Sequence, residues 1–252
     1  MAAAPSPDLN SGLFETLLVL RGRPVELDAH LERLGSSLEL LGGPPPPGDL
    51  RSLAHDRSRD LELGRLRLTV ARDGAGMRAE VRAEPIDPAL CFPGWDRAAV
   101  LRPLTLDDGL GPYKWADREI LERAAAPLNE NELPLVVDEG GAVLEASRAN
   151  VFAIEGETLL TPPTDGRILP GIARARAIEA AAVAGIEVRE TRLTTADLAA
   201  CGGVFLTGSV RGVEPVCAVD AVQLRPPGQI AETVASALRD RWLHGARALQ
   251  PS

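Results

Sequence analysis

Apolar and polar residues change rhythm several times along the chain, and each rhythm predicts an element. Leu13–Leu20 reads as a strand ending at the Arg21-Gly22-Arg23-Pro24 turn, and Val25–Leu27 starts a second short strand, so a hairpin is expected. From Asp28, an N-cap candidate, the residues His30, Leu31, Leu34, Leu38 and Leu41 recur at spacings of three and four. That spacing predicts a helix, which Gly42-Gly43 and the prolines Pro44–Pro47 stop. A helix near Leu50–Asp60 follows, then the alternating runs Gly64–Ala71 and Met77–Ala83 as paired strands across the Asp73-Gly74 turn. Ala98–Arg102 reads as one more strand.

Beyond residue 103 the rhythm is lost in prolines, glycines and Asp107-Asp108, as expected of a linker. Asp117–Leu128 then reads as a helix, and Leu135–Asp138, Val143–Glu145, Val151–Ile154 and Thr158–Leu160 are strands whose close spacing suggests a meander or barrel. Ile172–Ala184 is a predicted helix closed by Gly185, Ile186–Thr191 a strand, Thr195–Ala200 a short helix, Val204–Thr207 a strand and Ile230–Leu243 a last helix. The expected organisation is α+β: a small N-terminal domain over 1–103, a linker over 104–112 and a larger C-terminal domain over 113–252.

A chain of 252 residues can bury a sizeable core, and its net charge of -9 repels phosphate-rich polymers, so nucleic acid is not an expected partner. No apolar run approaches the ~18 residues of a membrane span, and Met1–Asn10 lacks the basic-then-apolar order of a secretory signal, so a cytoplasmic location is expected. Cys91, Cys201 and Cys217 are too widely spaced for a disulfide framework or thiolate zinc site, and His30, His55 and His244 form no ligand pair. Gly208-Ser209 is followed by Val210-Arg211, which rules out the Gly-x-Ser-x-Gly turn of serine acyl-transfer enzymes. With neither metal nor serine chemistry indicated, a cofactor is expected. Lys114 is the only lysine in the chain.

Three stretches, in order, carry a resemblance: FETLLVLRGRPVELDAHLERLGSSLELLG, LEASRANVFAIEGETLLTPPTDGRILPGIAR and VFLTGSVRGVEPV. Together they resemble the class IV aminotransferases, pyridoxal-phosphate (PLP) enzymes of fold type IV, from about Gly12 to Val219. The family usually has a further strand or two before its Phe-Glu-Thr segment, and this chain does not. The resemblance implies that Lys114, in GPYKWADRE, holds the cofactor covalently and moves a proton between substrate and cofactor, which requires a deprotonated amine that arginine cannot supply. It implies that Glu145 faces the pyridine nitrogen and keeps it protonated. Ser147 and Asn150 of the same ASRAN motif join the cofactor-binding set. Arg33, the Gly171-Ile172-Ala173 amides opening a helix, and Thr207, Gly208 and Ser209 of LTGSV would form its anion site, Ala173 replacing the family's usual threonine. A homodimer is also implied, the Arg21–Pro24 turn reaching the partner's pocket.

These residues specify shared chemistry, and the substrate stays open. Trp115-Ala116-Asp117 replaces the Gly-Gly-Asn-Tyr run of branched-chain enzymes. Arg78 is similar in placement to the arginine with which D-amino acid transaminases hold a carboxylate, with Glu80 in place of a histidine; Arg21, Arg23 and Arg148 are further candidates. Transfer of an amino group from a D-amino acid, with (R)-amines as a further donor class, to a 2-oxo acid is the favoured expectation because it needs no acid besides Lys114. The alternative is a 4-amino-4-deoxychorismate lyase, for which Arg118 and, as an acid, Thr16 speak. A non-catalytic dimeric module of the same fold is the reading from another class.

Overall fold

Strand β1 (Leu13–Leu20) organises the first of two units in the computed structural model, which describes residues 8–247. One unit comprises residues 8–90, 113–117 and 240–247, and the other comprises Cys91–Pro112 and Arg118–Arg239.

In the first unit β1 lies between β2 (Arg23–Pro24) and β3 (Leu63–Asp73), and β3 pairs with β4 (Gly76–Pro85), every pairing antiparallel. Strand alternation sorts the faces. Leu13, Leu17 and Val19 of β1 and Leu66, Leu68 and Val70 of β3 pack with Leu27, Leu34 and Leu38 of α1 (Leu27–Leu40) and with Leu50 and Ala54 of α2 (Leu50–Ser58). Arg65 and Arg67, on the other face of β3, are exposed.

The hairpin differs from expectation by two residues. Glu26 adopts a left-handed backbone (φ 54°), which turns the chain so that the return strand is Arg23–Pro24 and the helix begins at Leu27. Glu26, not Asp28, is the N-cap, and no side chain caps the helix there. Val25 and Leu27 are buried all the same. Proline is tolerated in β2 because that strand pairs on one side only.

The division of the chain also runs differently from the expected 1–103, 104–112 and 113–252. Leu13 bridges Trp115, Phe14 N donates to the Lys114 carbonyl at 2.8 Å, and Ala116 N to the Gly12 carbonyl at 2.9 Å, so the segment around Lys114 lies along β1. Residues 99–105 instead form β5, a strand of the second unit's sheet, which absorbs the start of the expected linker.

After β5 the second unit runs through α3 (Glu119–Ala125), β6 (Glu132–Val137), β7 (Ala142–Ala146), β8 (Asn150–Glu155) and β9 (Thr158–Thr161). It continues with α4 (Ile172–Val183), β10 (Glu187–Glu190), β11 (Leu193–Thr194), α5 (Thr195–Ala200), β12 (Gly203–Gly208), β13 (Gly212–Val219), β14 (Val222–Gln223) and the start of α6 (Gly228–Arg247). The ten-stranded sheet has the order β10-β9-β8-β12-β13-β5-β6-β7-β11, with β14 on β13. Strands β7 and β8 are well separated in that order, yet Ala146 N donates to the Ala149 carbonyl at 2.9 Å across the short turn joining them. The sheet therefore curls towards a barrel. Strands β6 to β9, β12 and β13 are buried on both faces: Leu135, Val151, Leu206 and Val216 pack in one core cluster, Val136 and Leu144 in another with Leu106 and Ile168. Strand β13 was not anticipated because Glu214 and Pro215 interrupt its apolar rhythm, although both are buried. Among the described residues no helix is long and apolar enough to cross a membrane.

Candidate active site

Lys114 is held by its backbone, through the Phe14 amide, and its Nζ lies 4.8 Å from the centroid of the Phe14 ring. The Arg67 guanidinium lies 3.8 Å from the centroid of the same ring. The ring thus fixes the amine's surroundings through β1, the strand that begins the FETLLVL motif.

The next residue of that motif supplies a feature the sequence did not disclose. Glu15 points to the helix-facing side of β1 and is 1 % exposed. It accepts from Arg33 Nε at 2.9 Å and Nη2 at 2.5 Å, and His30 Nδ1 lies 2.7 Å from its Oε2. Burial alone would raise the pKa of Glu15, but Arg33 and His30 outweigh it and hold it at about 2. Burial lowers the pKa of His30, only partly opposed by Glu15, and the charges of Arg33 and Lys114 lower it further. A neutral imidazole facing a carboxylate must carry its proton on Nδ1, since the carboxylate only accepts. His30 reads from sequence as one member of an apolar stripe, and Glu15 as an alternating strand position. The one signal available was a charged residue on the face that otherwise carries Leu13, Leu17 and Val19.

The remaining predicted residues of this unit are spread out. Thr16 is half-buried on β1, opposite Arg67. Arg21 and Arg23 line a cleft of about 890 Å³ together with Arg51, Arg59 and Arg241. Arg78 is exposed on β4 opposite Ala71, and Glu80, two residues on, pairs with Arg82 at 2.5 Å.

In the ten-stranded unit the curl between β7 and β8 gathers the ASRAN residues. Glu145 is 4 % exposed, and its Oε1 accepts from the Leu169 amide at 3.1 Å. The Leu169 carbonyl in turn accepts from Asn150 Nδ2 at 3.0 Å. One residue, two before Gly171, is therefore gripped by both motif side chains. The Ser147 carbonyl accepts from the Arg118 guanidinium.

This grip fixes the start of α4. Gly171 is its N-cap, with an extended backbone and no capping side-chain hydrogen bond among the described residues. A Cβ built on Gly171 would overlap Asn150 Oδ1, which is why glycine is required there. Ile172 and Ala173 follow, both buried. On β12, Thr207 pairs with Asn150 of β8, and its buried Oγ1 has no hydrogen-bond partner among the described residues. Gly208 and Ser209 follow, half-buried. An uncapped helix N-terminus and an orphaned hydroxyl are donors awaiting an anion, and a buried carboxylate suits a protonated ring nitrogen. Pyridoxal phosphate carries both groups, so the residues present fit it. Among the described residues no cluster could hold a metal ion.

Comparison with known proteins agrees. The family model for amino-transferase class IV matches residues 12–92 and 114–219. The branched-chain-amino-acid aminotransferase of Escherichia coli K12 is 31 % identical over 151 residues, 60 % of this chain, and the match spans about half (47 %) of that protein's length. A bifunctional aminodeoxychorismate lyase / D-amino acid transaminase of Mycobacterium tuberculosis is 30 % identical over 252 residues, covering 89 % of this chain and 86 % of that protein. A hypothetical aminotransferase from Mycobacterium tuberculosis, solved in a PLP-bound form, superposes with a TM-score of 0.81 at 25 % identity over 97 % of this chain and 95 % of its own; an α-ketoglutarate- and PMP-bound form is also known. The chain belongs to the class IV amino-transferases, a family of pyridoxal-phosphate enzymes.

Proposed function

We propose that this chain is an aminotransferase that moves an amino group from an amino acid, with D-amino acids as the favoured donors, to a 2-oxo acid. When bound, the cofactor supplies an electron sink for the substrate's α-carbon. Lys114 holds it covalently, and Lys114 Nζ takes and returns the α-proton. Glu145 holds the proton on the ring nitrogen. The amides of Gly171, Ile172 and Ala173, with Thr207, Gly208, Ser209 and Arg33, hold the phosphate, while Ser147 and Asn150 keep the Glu145 turn in shape. The observation that carries this reading is the double grip on Leu169, which ties the buried carboxylate of Glu145 and the uncapped start of α4 into one rigid piece.

The test is a half-reaction. D-alanine, L-leucine and (R)-1-phenylethylamine are added separately to the holoenzyme, and the visible absorbance band is followed. Loss of the band with D-alanine is expected; no response to any donor contradicts the reading. A second reading, 4-amino-4-deoxychorismate lyase, is favoured by the lyase in the name of the Mycobacterium tuberculosis relative. Pyruvate release from 4-amino-4-deoxychorismate without amino exchange would decide for it. We further propose a cytoplasmic homodimer, with the Arg21–Pro24 turn serving the partner's pocket; sedimentation of an active monomer would contradict the dimer.

A further inference from the structure

The Ser147–Ala149 turn and the turn between β12 and β13 share one end of the ten-stranded sheet. Asn150 pairs with Thr207, Gly208 pairs with Gly212, and a Cβ added to Gly208 would lie 3.5 Å from the Arg148 carbonyl. Three charged side chains meet in this corner. Glu214 of β13 accepts from Arg148 Nη2 at 2.9 and 3.1 Å and from Arg211 Nη1 at 3.0 Å.

The cluster is built unlike a surface ion pair. Its carboxylate is the buried member, with a side chain 4 % exposed, whereas the side chains of Arg148 and Arg211 keep 33 % and 25 % of their surface. Two guanidiniums against one carboxylate leave one positive charge over, on a chain whose net charge is -9. Arg148 Nη1 is buried and has no acceptor among the described residues, so the fork's donors are not all used. Burial lowers the pKa of Arg148, Glu214 opposes that, and the charge of Arg211 adds to it. An acid that lies under two bases, and does not neutralise them, holds them for a second anion.

We propose that Arg148 and Arg211, positioned by Glu214, form the site that takes the carboxylate of the amino acid and of the 2-oxo acid. This rests on the amino-transfer reading, in which every donor and acceptor of the favoured class carries such a group. A single carboxylate balances the one excess charge, and the planar fork of each guanidinium matches its two oxygens. The donors of α4 and Thr207 are left to the cofactor's phosphate. Arg148 was one of several candidate arginines in the sequence; Arg211 and Glu214 were not singled out, because only the β12–β13 turn brings them beside the ASRAN turn.

The test titrates 2-oxoglutarate calorimetrically into the holoenzyme of the parent and of Arg148→Gln, Arg211→Gln, Arg211→Lys and Glu214→Gln, and records the cofactor's absorbance band for each. Loss of roughly tenfold or more in 2-oxoglutarate affinity is expected for Arg148→Gln and Arg211→Gln, with only part restored in Arg211→Lys, because lysine lacks the fork. The band should persist in all of them. Glu214→Gln should raise the KM for the amino donor more than it lowers kcat, as loosened forks require. Equal 2-oxoglutarate affinity in parent and glutamine variants overturns the proposal, and so does loss of the band with affinity retained, which would place the arginines on the phosphate. A kcat fall at constant KM in Glu214→Gln overturns its positioning role. Should the parent itself form no band with added cofactor, the amino-transfer reading fails, and the same titration on cofactor-free protein still decides the carboxylate site by the same tenfold criterion.

Discussion

Arg33 commits two of its nitrogens to Glu15, with Nε 2.9 Å from Oε1 and Nη2 2.5 Å from Oε2, while the buried His30 ring lies 2.7 Å from that same Oε2. The acid sits on β1, the strand that also positions Lys114, and the two bases on α1, both within the four-stranded unit. Titration of this network contributes to the acid limb of stability.

The folded-state pKa of Glu15, about 2, lies below its ordinary value of 4.5. A depressed carboxylate contributes stability that is complete above its unfolded pKa and is lost as pH falls through the folded one. His30, whose folded pKa is also lowered, acts in the same direction and starts earlier, because the unfolded imidazole takes up a proton first. Denaturant titrations from pH 7 to pH 2 should show one decline setting in below about pH 6.5 and a second between about 4.5 and 2, the second worth about 3 kcal/mol from Glu15. In Glu15→Gln the component between about 4.5 and 2 should shrink, leaving what Glu132, Asp138, Asp165 and Asp197, whose pKa values are also lowered by their partners, contribute; an unaltered acid profile in that variant contradicts the assignment.

Removing one partner of a buried ion pair leaves the other charge without compensation, at a cost of about 3–5 kcal/mol. Arg33→Ala should therefore destabilise the cofactor-free protein by about that amount, as read from the denaturation midpoint. A loss within about 0.5 kcal/mol, as for an ordinary surface substitution, would show that the pair does not hold the unit together.

Thr207→Val separates a structural hydroxyl from a ligand-binding one. Its Oγ1 is buried without a partner among the described residues, and an unsatisfied buried hydroxyl costs about 1–3 kcal/mol. The cofactor-free variant should be as stable as the parent or more so, while its cofactor affinity falls. Lower stability with full affinity would mean that the hydroxyl serves the fold instead.

Much of this was legible in sequence because the determining pattern was local. Thr195–Ala200 was read to the residue as a helix, and there the capping box of Thr194 and Asp197 is present in the structure. Strand β1 was read with equal success from its apolar run. What was not legible depends on distant pairing. Ala99–Thr105 looks like the end of one domain until β6 and β13 flank it in parallel. Glu15 and His30 are individually bland, and only the packing of α1 on β1 makes them a pair. Leu169, an ordinary apolar residue, acquires its importance from two backbone atoms that no side-chain pattern reveals.

Glu145→Gln should retain the cofactor yet slow the half-reaction with D-alanine, since the neutral amide no longer favours a protonated ring nitrogen. It should also weaken the bond from the Leu169 amide, which now donates to an uncharged acceptor. Stopped-flow absorbance measures the rate directly; a rate equal to the parent's would remove Glu145 from its assigned place.

The central claim is that Lys114 carries the cofactor. Because Lys114 is the only lysine in the chain, borohydride reduction of the holoprotein followed by peptide mass mapping reads it without ambiguity. The account predicts a reduced-cofactor mass on the peptide containing Tyr113–Asp117, with loss of the visible band and no such adduct in Lys114→Ala. An unlabelled Lys114 in protein that has bound the cofactor would contradict it.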